Sequence, residues 1–171
     1  MIAAARLAPA GTRASSGRMA RRTLLVALAV TAAVAVGAGA YVRLAPMDAA
    51  RWHVDPEEAV PTGRPNQWLL APGADGEPIV TDAAPAEALA RLEAAALAEG
   101  GVERLAGSPE EGLVTWVQRS RLVGYPDAIT ARAVPEGEGS RVTILSRSRY
   151  GHSDMGVNRA RVERWVAAAG L

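Results

Sequence analysis

Residues 146–164 read S-R-S-R-Y-G-H-S-D-M-G-V-N-R-A-R-V-E-R. A strand runs out through a polar turn bounded by Gly151 and Gly156, and the chain returns as a closing helix over residues 155–169. Asp154, or Ser153, is placed to cap that helix, because a short side-chain oxygen at the boundary accepts first-turn amides. Gly170 supplies the stop. Val157, Val162, Trp165, Val166 and Ala169 are available to face a sheet. The same stretch holds the densest set of Arg, Ser, Asp and Asn in the chain, so a site is expected on or beside it.

Working back from this stretch, apolar residues recur with period two. Runs at residues 102–106, 113–120, 128–134 and 141–149 read as strands, broken at Gly107-Ser108-Pro109, Gly124-Tyr125-Pro126-Asp127 and Pro135-Glu136-Gly137-Glu138-Gly139. Connections this short suit antiparallel neighbours. Before them, Ala88, Leu89, Leu92, Ala95, Ala96 and Leu97 form a stripe at helical spacing. Thr81 or Asp82 is the expected cap of that helix, and Gly100-Gly101 ends it. The predicted fold is α+β: over residues 84–171, a four-stranded antiparallel sheet with two helices packed on one face.

The N-terminal half is organised differently. Residues 1–22 show no apolar periodicity and are expected to be disordered; Met19 offers an alternative start. Residues 23–42 carry no charge and are long enough to cross a bilayer core of roughly 30 Å. Arg18, Arg21 and Arg22 crowd the N-terminal side of this run, which places that end in the cytoplasm and the rest beyond the membrane. The expected location is the inner membrane, as a single-pass anchor with a periplasmic C-terminal domain. The rival is a signal peptide cleaved after Ala38-Gly39-Ala40, which releases a soluble periplasmic domain. Residues 43–83 contain six of the 11 prolines, Pro46, Pro56, Pro61, Pro65, Pro72 and Pro78, which excludes long helices. The pieces around Trp52 and Trp68 are expected to lie extended over the domain.

Composition excludes more than it identifies. Among 171 residues all 19 basic ones are Arg, and the formal net charge of +1 argues against nucleic acid as a partner. Without Cys there is no disulfide, thiolate zinc site or Cys nucleophile. His53 and His152 stand far apart, so no metal site and no cofactor are expected.

Chemistry is therefore sought at the last strand. Val142, Ile144, Ser146, Ser148 and Tyr150 share one face, and Arg141, Thr143, Leu145, Arg147 and Arg149 share the other. With Val142 and Ile144 under the helices, Arg147 and Arg149 fall on an open side, joined by Arg119 if Trp116 is core. Several guanidiniums on one face can hold a carboxylate or phosphate by paired hydrogen bonds. The candidate ligand-binding residues are Arg119, Arg147, Ser148, Arg149, Asp154 and Asn158. The competing account pairs these arginines with Asp127, Asp154 and Glu163. No residue is assigned as catalytic. His152-Ser153-Asp154 has the residue types of a hydrolytic triad, but adjacent turn residues cannot normally stack nucleophile, base and orienter in line, and there is no G-x-S-x-G elbow.

Gln118-Arg119-Ser120-Arg121, Gly124-Tyr125-Pro126-Asp127 and the run from Ser146 to Arg159 resemble the domain of unknown function 1499 family. The pattern S-x-S-R-x-G-x-S-D-x-G-x-N-R is its specific part. On that resemblance Ser146, Ser148, Arg149, Gly151, Ser153, Asp154, Gly156, Asn158 and Arg161 match the family motif. The resemblance implies a small exported or membrane-anchored bacterial protein, with relatives in plastids, and brings no established activity. Many members carry a Cys-containing segment near the start of the domain; here Pro65-Asn66-Gln67 stands there, so no thiol role carries over. The expected function is non-enzymatic binding of an anionic ligand or an envelope protein through the strand-turn-helix. A purely structural envelope component and a Ser/His/Asp hydrolase are the alternatives.

Overall fold

The computed structural model describes residues 13–171, with side chains from residue 17 onward. It divides between Ala40 and Tyr41 into a helical N-terminal unit and a folded domain. The expectation of disorder over residues 1–22 falls on residues 1–12 outside the described ones, whereas from Arg13 the chain is helical. This helix, α1, spans Arg13–Arg43. Its stretch Gly17–Arg43 has a mean hydropathy of 2.1 and is long and apolar enough to span a membrane or to be a signal sequence.

The domain is α+β. Its core strands are β3 (Val102–Ser108), β4 (Leu113–Arg119), β5 (Pro126–Glu136) and β6 (Gly139–Ser148), all antiparallel. Helices α3 (Pro85–Ala98) and α4 (Val157–Ala169) pack on one face. There Leu89 and Leu92 of α3 and Val162 and Trp165 of α4 meet Val114, Trp116, Ile129, Val142 and Ile144 of the sheet. Trp116 and Trp165 cross edge to face at 5.9 Å, which adds about 0.5–1.5 kcal/mol to their burial.

The sheet has six strands, not four, and among the described residues there are four helices, not an anchor plus two. The additions come from the proline-rich segment: α2 (Ala49–Trp52), β1 (Gln67–Leu70) and β2 (Ile79–Thr81). Both strands pair with β6, β1 along residues 144–147 and β2 along residues 140–142, so they share one edge end to end. Pro78 sits just outside β2, consistent with the tolerance of proline at edges. Caps also differ from expectation. α3 starts at Pro85, whose missing amide is one the first turn leaves unpaired anyway, with Ala84 and no side-chain cap before it. Thr81 instead accepts from the Ala83 amide at 3.3 Å. α4 begins after Gly156, with Asp154 accepting from the Gly156 and Asn158 amides at 2.9 and 2.8 Å.

The second sheet face is covered, not open. The chain from Ala45 to Glu57 runs across it as a strap. Trp52 is only 6% exposed, and its carbonyl accepts from Thr130. His53 bonds Thr115 at 2.8 Å, and Thr115 bonds Thr130 at 2.8 Å. Asp55 and Glu57 meet Arg132 and Arg141 at 3.5 and 2.9 Å. Alternation sorted the faces correctly, but a strap with its own apolar anchor lies over the side that was left to water.

Candidate functional site

Two polar places flank the end of β6, one built on a single arginine and one lined by four, and they differ in how charge is balanced. The first is buried between β4, β5, β6 and α4. Arg161 follows Asn158 by three residues, so both fall on the inward face of α4. Its Nη2 donates to Asp127 at 2.6 Å, and its Nη1 donates to Asn158 Oδ1 at 2.6 Å and Ser146 Oγ at 3.0 Å. Its Nε donates to Gln118. Asn158, wholly buried, donates from Nδ2 toward Asp154 at 2.6 Å, Ser148 Oγ at 3.0 Å and the Asn66 carbonyl at 3.1 Å. Charge and hydrogen-bonding capacity are matched within the protein, as burial requires.

The second place is a cavity of about 330 Å³ on the far side of Ser148, lined by Arg51, Arg64, Arg147 and Arg149 together with Asn66 and Gln67. No acidic residue lines it. Among the described residues of the domain, eight arginines have a carboxylate within 4.0 Å, whereas Arg43, Arg51, Arg64, Arg121, Arg147 and Arg149 have none. Four of those six line this cavity. Arg147 lies over the Trp52 ring at 4.7 Å and Arg51 over the same ring at 5.4 Å. Burial, and next the neighbouring Arg51 charge, lower the Arg147 pKa. Both causes disfavour a cation there.

Two of these guanidiniums, Arg147 and Arg149, are held but not neutralised. Arg147 donates from Nη2 to the carbonyls of Arg51 and Trp52, at 3.3 Å each. Arg149 donates from Nη1 to the Pro46 carbonyl and to Met47 Sδ at 3.6 Å. A guanidinium has five N–H donors, so each keeps others for an anion. Behind them, Ser148 donates its amide to the Asn66 carbonyl at 2.9 Å, and Asn66 donates to the Gly151 carbonyl at 2.8 Å. The cavity wall is thereby tied to the buried network.

Of the residues expected from the sequence, Arg147, Ser148 and Arg149 come together on the cavity, and Asp154 and Asn158 stand in the network behind it. Arg119 lies elsewhere. It donates to the carbonyls of Arg43 and Ala45 at 3.0 Å each, pairs with Glu103 at 3.9 Å, and lines a separate cleft of about 460 Å³. Sequence reasoning missed Arg51, Arg64, Asn66 and Gln67, which come from the proline-rich segment about a hundred residues upstream. Only the polar content of Pro65-Asn66-Gln67 hinted at them. The competing account, which paired Asp127, Asp154 and Glu163 with the sheet-face arginines, does not hold for Arg119, Arg147 or Arg149: Asp127 pairs with Arg161 at 2.6 Å and Glu163 with Arg159 at 2.7 Å. His152, Ser153 and Asp154 do not converge: His152 is exposed, Ser153 accepts from the Met155 amide at 3.3 Å, and Asp154 serves α4.

The chain is thus an α+β domain behind a helix apolar enough to cross a membrane, with the S-x-S-R-x-G-x-S-D-x-G-x-N-R stretch at its polar centre. It belongs to the family described as protein of unknown function (DUF1499), which matches residues 46–168. That span includes the strap, the network and the arginine cavity, and leaves out α1. No curated protein and no solved structure matches the chain.

Proposed function

We propose that this protein is a membrane-anchored, non-enzymatic domain that binds an anionic group in the cavity lined by Arg51, Arg64, Arg147 and Arg149. On this reading α1 is retained as the anchor, and the arginine excess before it leaves the domain on the periplasmic side of the inner membrane. The observation that carries the proposal is the acid-free lining: four guanidiniums share about 330 Å³ without a carboxylate, in a protein that pairs most of its other domain arginines. An oxyanion bound there would relieve the repulsion between Arg51 and Arg147 and make charge-assisted bonds, each about 1.5–3 kcal/mol. The cavity suits a phosphate- or carboxylate-sized group.

The test is thermal unfolding of the full chain in detergent with inorganic phosphate against chloride at equal ionic strength. Phosphate at a hundred times its Kd stabilises by about 2.7 kcal/mol. The Arg51→Gln/Arg64→Gln double variant removes two guanidiniums that make no hydrogen bond among the described residues, and it should fold normally yet lose the phosphate response. A native protein that ignores phosphate, or a double variant that responds equally, would overturn the proposal.

A second reading, a purely structural envelope component, is favoured by the carbonyls that Arg119, Arg147 and Arg149 hold along the strap. It requires Arg149→Ala to destabilise the domain equally with and without phosphate.

A further inference from the structure

The domain carries an exposed apolar turn next to the residue where α1 ends. Residues 120–125 connect β4 to β5 in a closed loop. The Ser120 amide donates to the Tyr125 carbonyl at 2.9 Å, the Gly124 amide donates to the Ser120 carbonyl at 2.9 Å, and Ser120 Oγ accepts from the Gly124 and Tyr125 amides at 3.1 and 2.9 Å. A loop tied this tightly has a fixed tip, and the tip is Leu122, 92% exposed. Val123 and Tyr125 are exposed beside it, as are Tyr41 and Leu44. Isolated exposed apolar residues need no explanation, but a rigid apolar tip does.

The loop is joined to the end of α1. Arg43, the last residue of that helix, donates from Nη1 to the Leu122 carbonyl at 3.3 Å. Gly124 has φ +83°, a conformation that favours glycine, and a Cβ there would sit 2.7 Å from Arg43 Cγ. Glycine is thus required twice over for the loop to rest on Arg43. The charged residues at this tip, Arg43 and Arg121, are the two domain arginines without a carboxylate partner that lie outside the anion cavity; both line the neighbouring cleft, where Glu103 is paired with Arg119.

We propose that the 120–125 loop is a membrane-docking edge: Leu122, Val123 and Tyr125 enter the interface of the leaflet from which α1 emerges, and Arg43 and Arg121 contact anionic headgroups. The occupant is a lipid surface because the covalent chain itself holds the tip there. Arg43 closes the apolar helix and bonds the loop, so a bilayer crossed by α1 begins within a residue or two of it. Aromatic rings favour that interface, and arginines beside it are attracted to anionic lipid. The inference rests on α1 being an uncleaved span.

The chain has no Cys, so single cysteines can be labelled cleanly. Leu122→Cys and, as control, Val80→Cys are labelled with an environment-sensitive dye in the full-length protein. Val80 is also an exposed apolar residue, but it pairs with Arg141 near the opposite end of β6. The labelled chains are reconstituted into phosphatidylcholine vesicles with and without phosphatidylglycerol, floated, and probed with headgroup-depth nitroxide lipid. The proposal expects flotation, severalfold stronger quenching at position 122 than at position 80, and a further increase with phosphatidylglycerol. Vesicles that float with both positions equally unquenched would overturn docking while leaving the anchor intact. Protein that fails to float would overturn the anchor and docking together.

Discussion

Arg161 and Arg147 are the same residue type on the two sides of the end of β6, and their surroundings are opposites. Arg161, 3% exposed, gives donors to Asp127, Asn158, Ser146 and Gln118. Arg147 gives two long bonds to carbonyls, stacks on Trp52, and faces another cation in Arg51. A buried charge is costly unless paired and hydrogen-bonded. Arg161 therefore belongs to the architecture of the fold, whereas Arg147 is held by carbonyls and a ring, with no carboxylate within 4.0 Å among the described residues. The contrast separates a paired arginine from an unpaired one, and the proposed anion site rests on that difference.

The largest effect should come from breaking the matched side. Arg161→Ala leaves the Asp127 carboxylate without its partner, and removing one member of a buried pair costs about 3–5 kcal/mol. Chemical denaturation should show that loss. Replacing Arg161 and Asp127 together by apolar residues of similar volume should cost clearly less, because no orphaned charge remains. If the single and double replacements cost the same, the ion pair is not what holds α4 to the sheet.

The unmatched side should respond far less. Arg147→Met removes two 3.3 Å carbonyl bonds and a ring contact worth about 0.5–1 kcal/mol, but it also removes a half-buried cation that Arg51 repels. We expect a net change below about 1 kcal/mol in chloride buffer, with the phosphate response lost. A loss as large as that of Arg161→Ala would erase the distinction and make Arg147 a structural clamp.

How much of this was legible in the sequence follows from the range of the interactions involved. Period-two runs located β3 to β6 within a few residues, and the helical stripes located α3 and α4, because burial on one face writes itself into adjacent positions. β1 and β2 left no such signal. Gln67–Leu70 and Ile79–Thr81 are too short to show a period and sit among prolines, and they become strands only because β6 offers an unpaired edge. The piece around Trp52 was expected to lie over the domain and does, but its contacts were not legible: Trp52 and His53 are anchored by Thr130 and Thr115, which local patterning cannot connect to them. The candidate site was half legible. Arg147, Ser148 and Arg149 share one strand end and stood out together, but Arg51 and Arg64 complete the cavity from the far side of the chain. The family pattern marked the matched network, including Arg161, more than the arginine cavity.

The smallest effect concerns pH and again separates the two sides. Glu99 lies where the matched side reaches the surface, accepting from Gln118 Nε2 at 2.8 Å and from Arg164 Nε at 3.2 Å. Burial raises its pKa, but hydrogen bonds from Arg164 and Gln118 outweigh this and hold the carboxyl below its ordinary value. A carboxylate whose folded pKa is depressed contributes stability that is present above the unfolded value and lost as pH falls through the folded one. Unfolding followed from neutral pH into acid should therefore show a decline beginning near the ordinary carboxylate range, and Glu99→Gln should flatten it slightly. The effect is modest because the side chain is 29% exposed and solvent screens the pair. The arginine cavity has no acid in its lining, and arginine stays protonated throughout this range, so Arg51→Gln should leave the acid limb unchanged. Equal changes in the two variants would mean that the cavity contains a titrating carboxylate after all, and that the two sides are one electrostatic system.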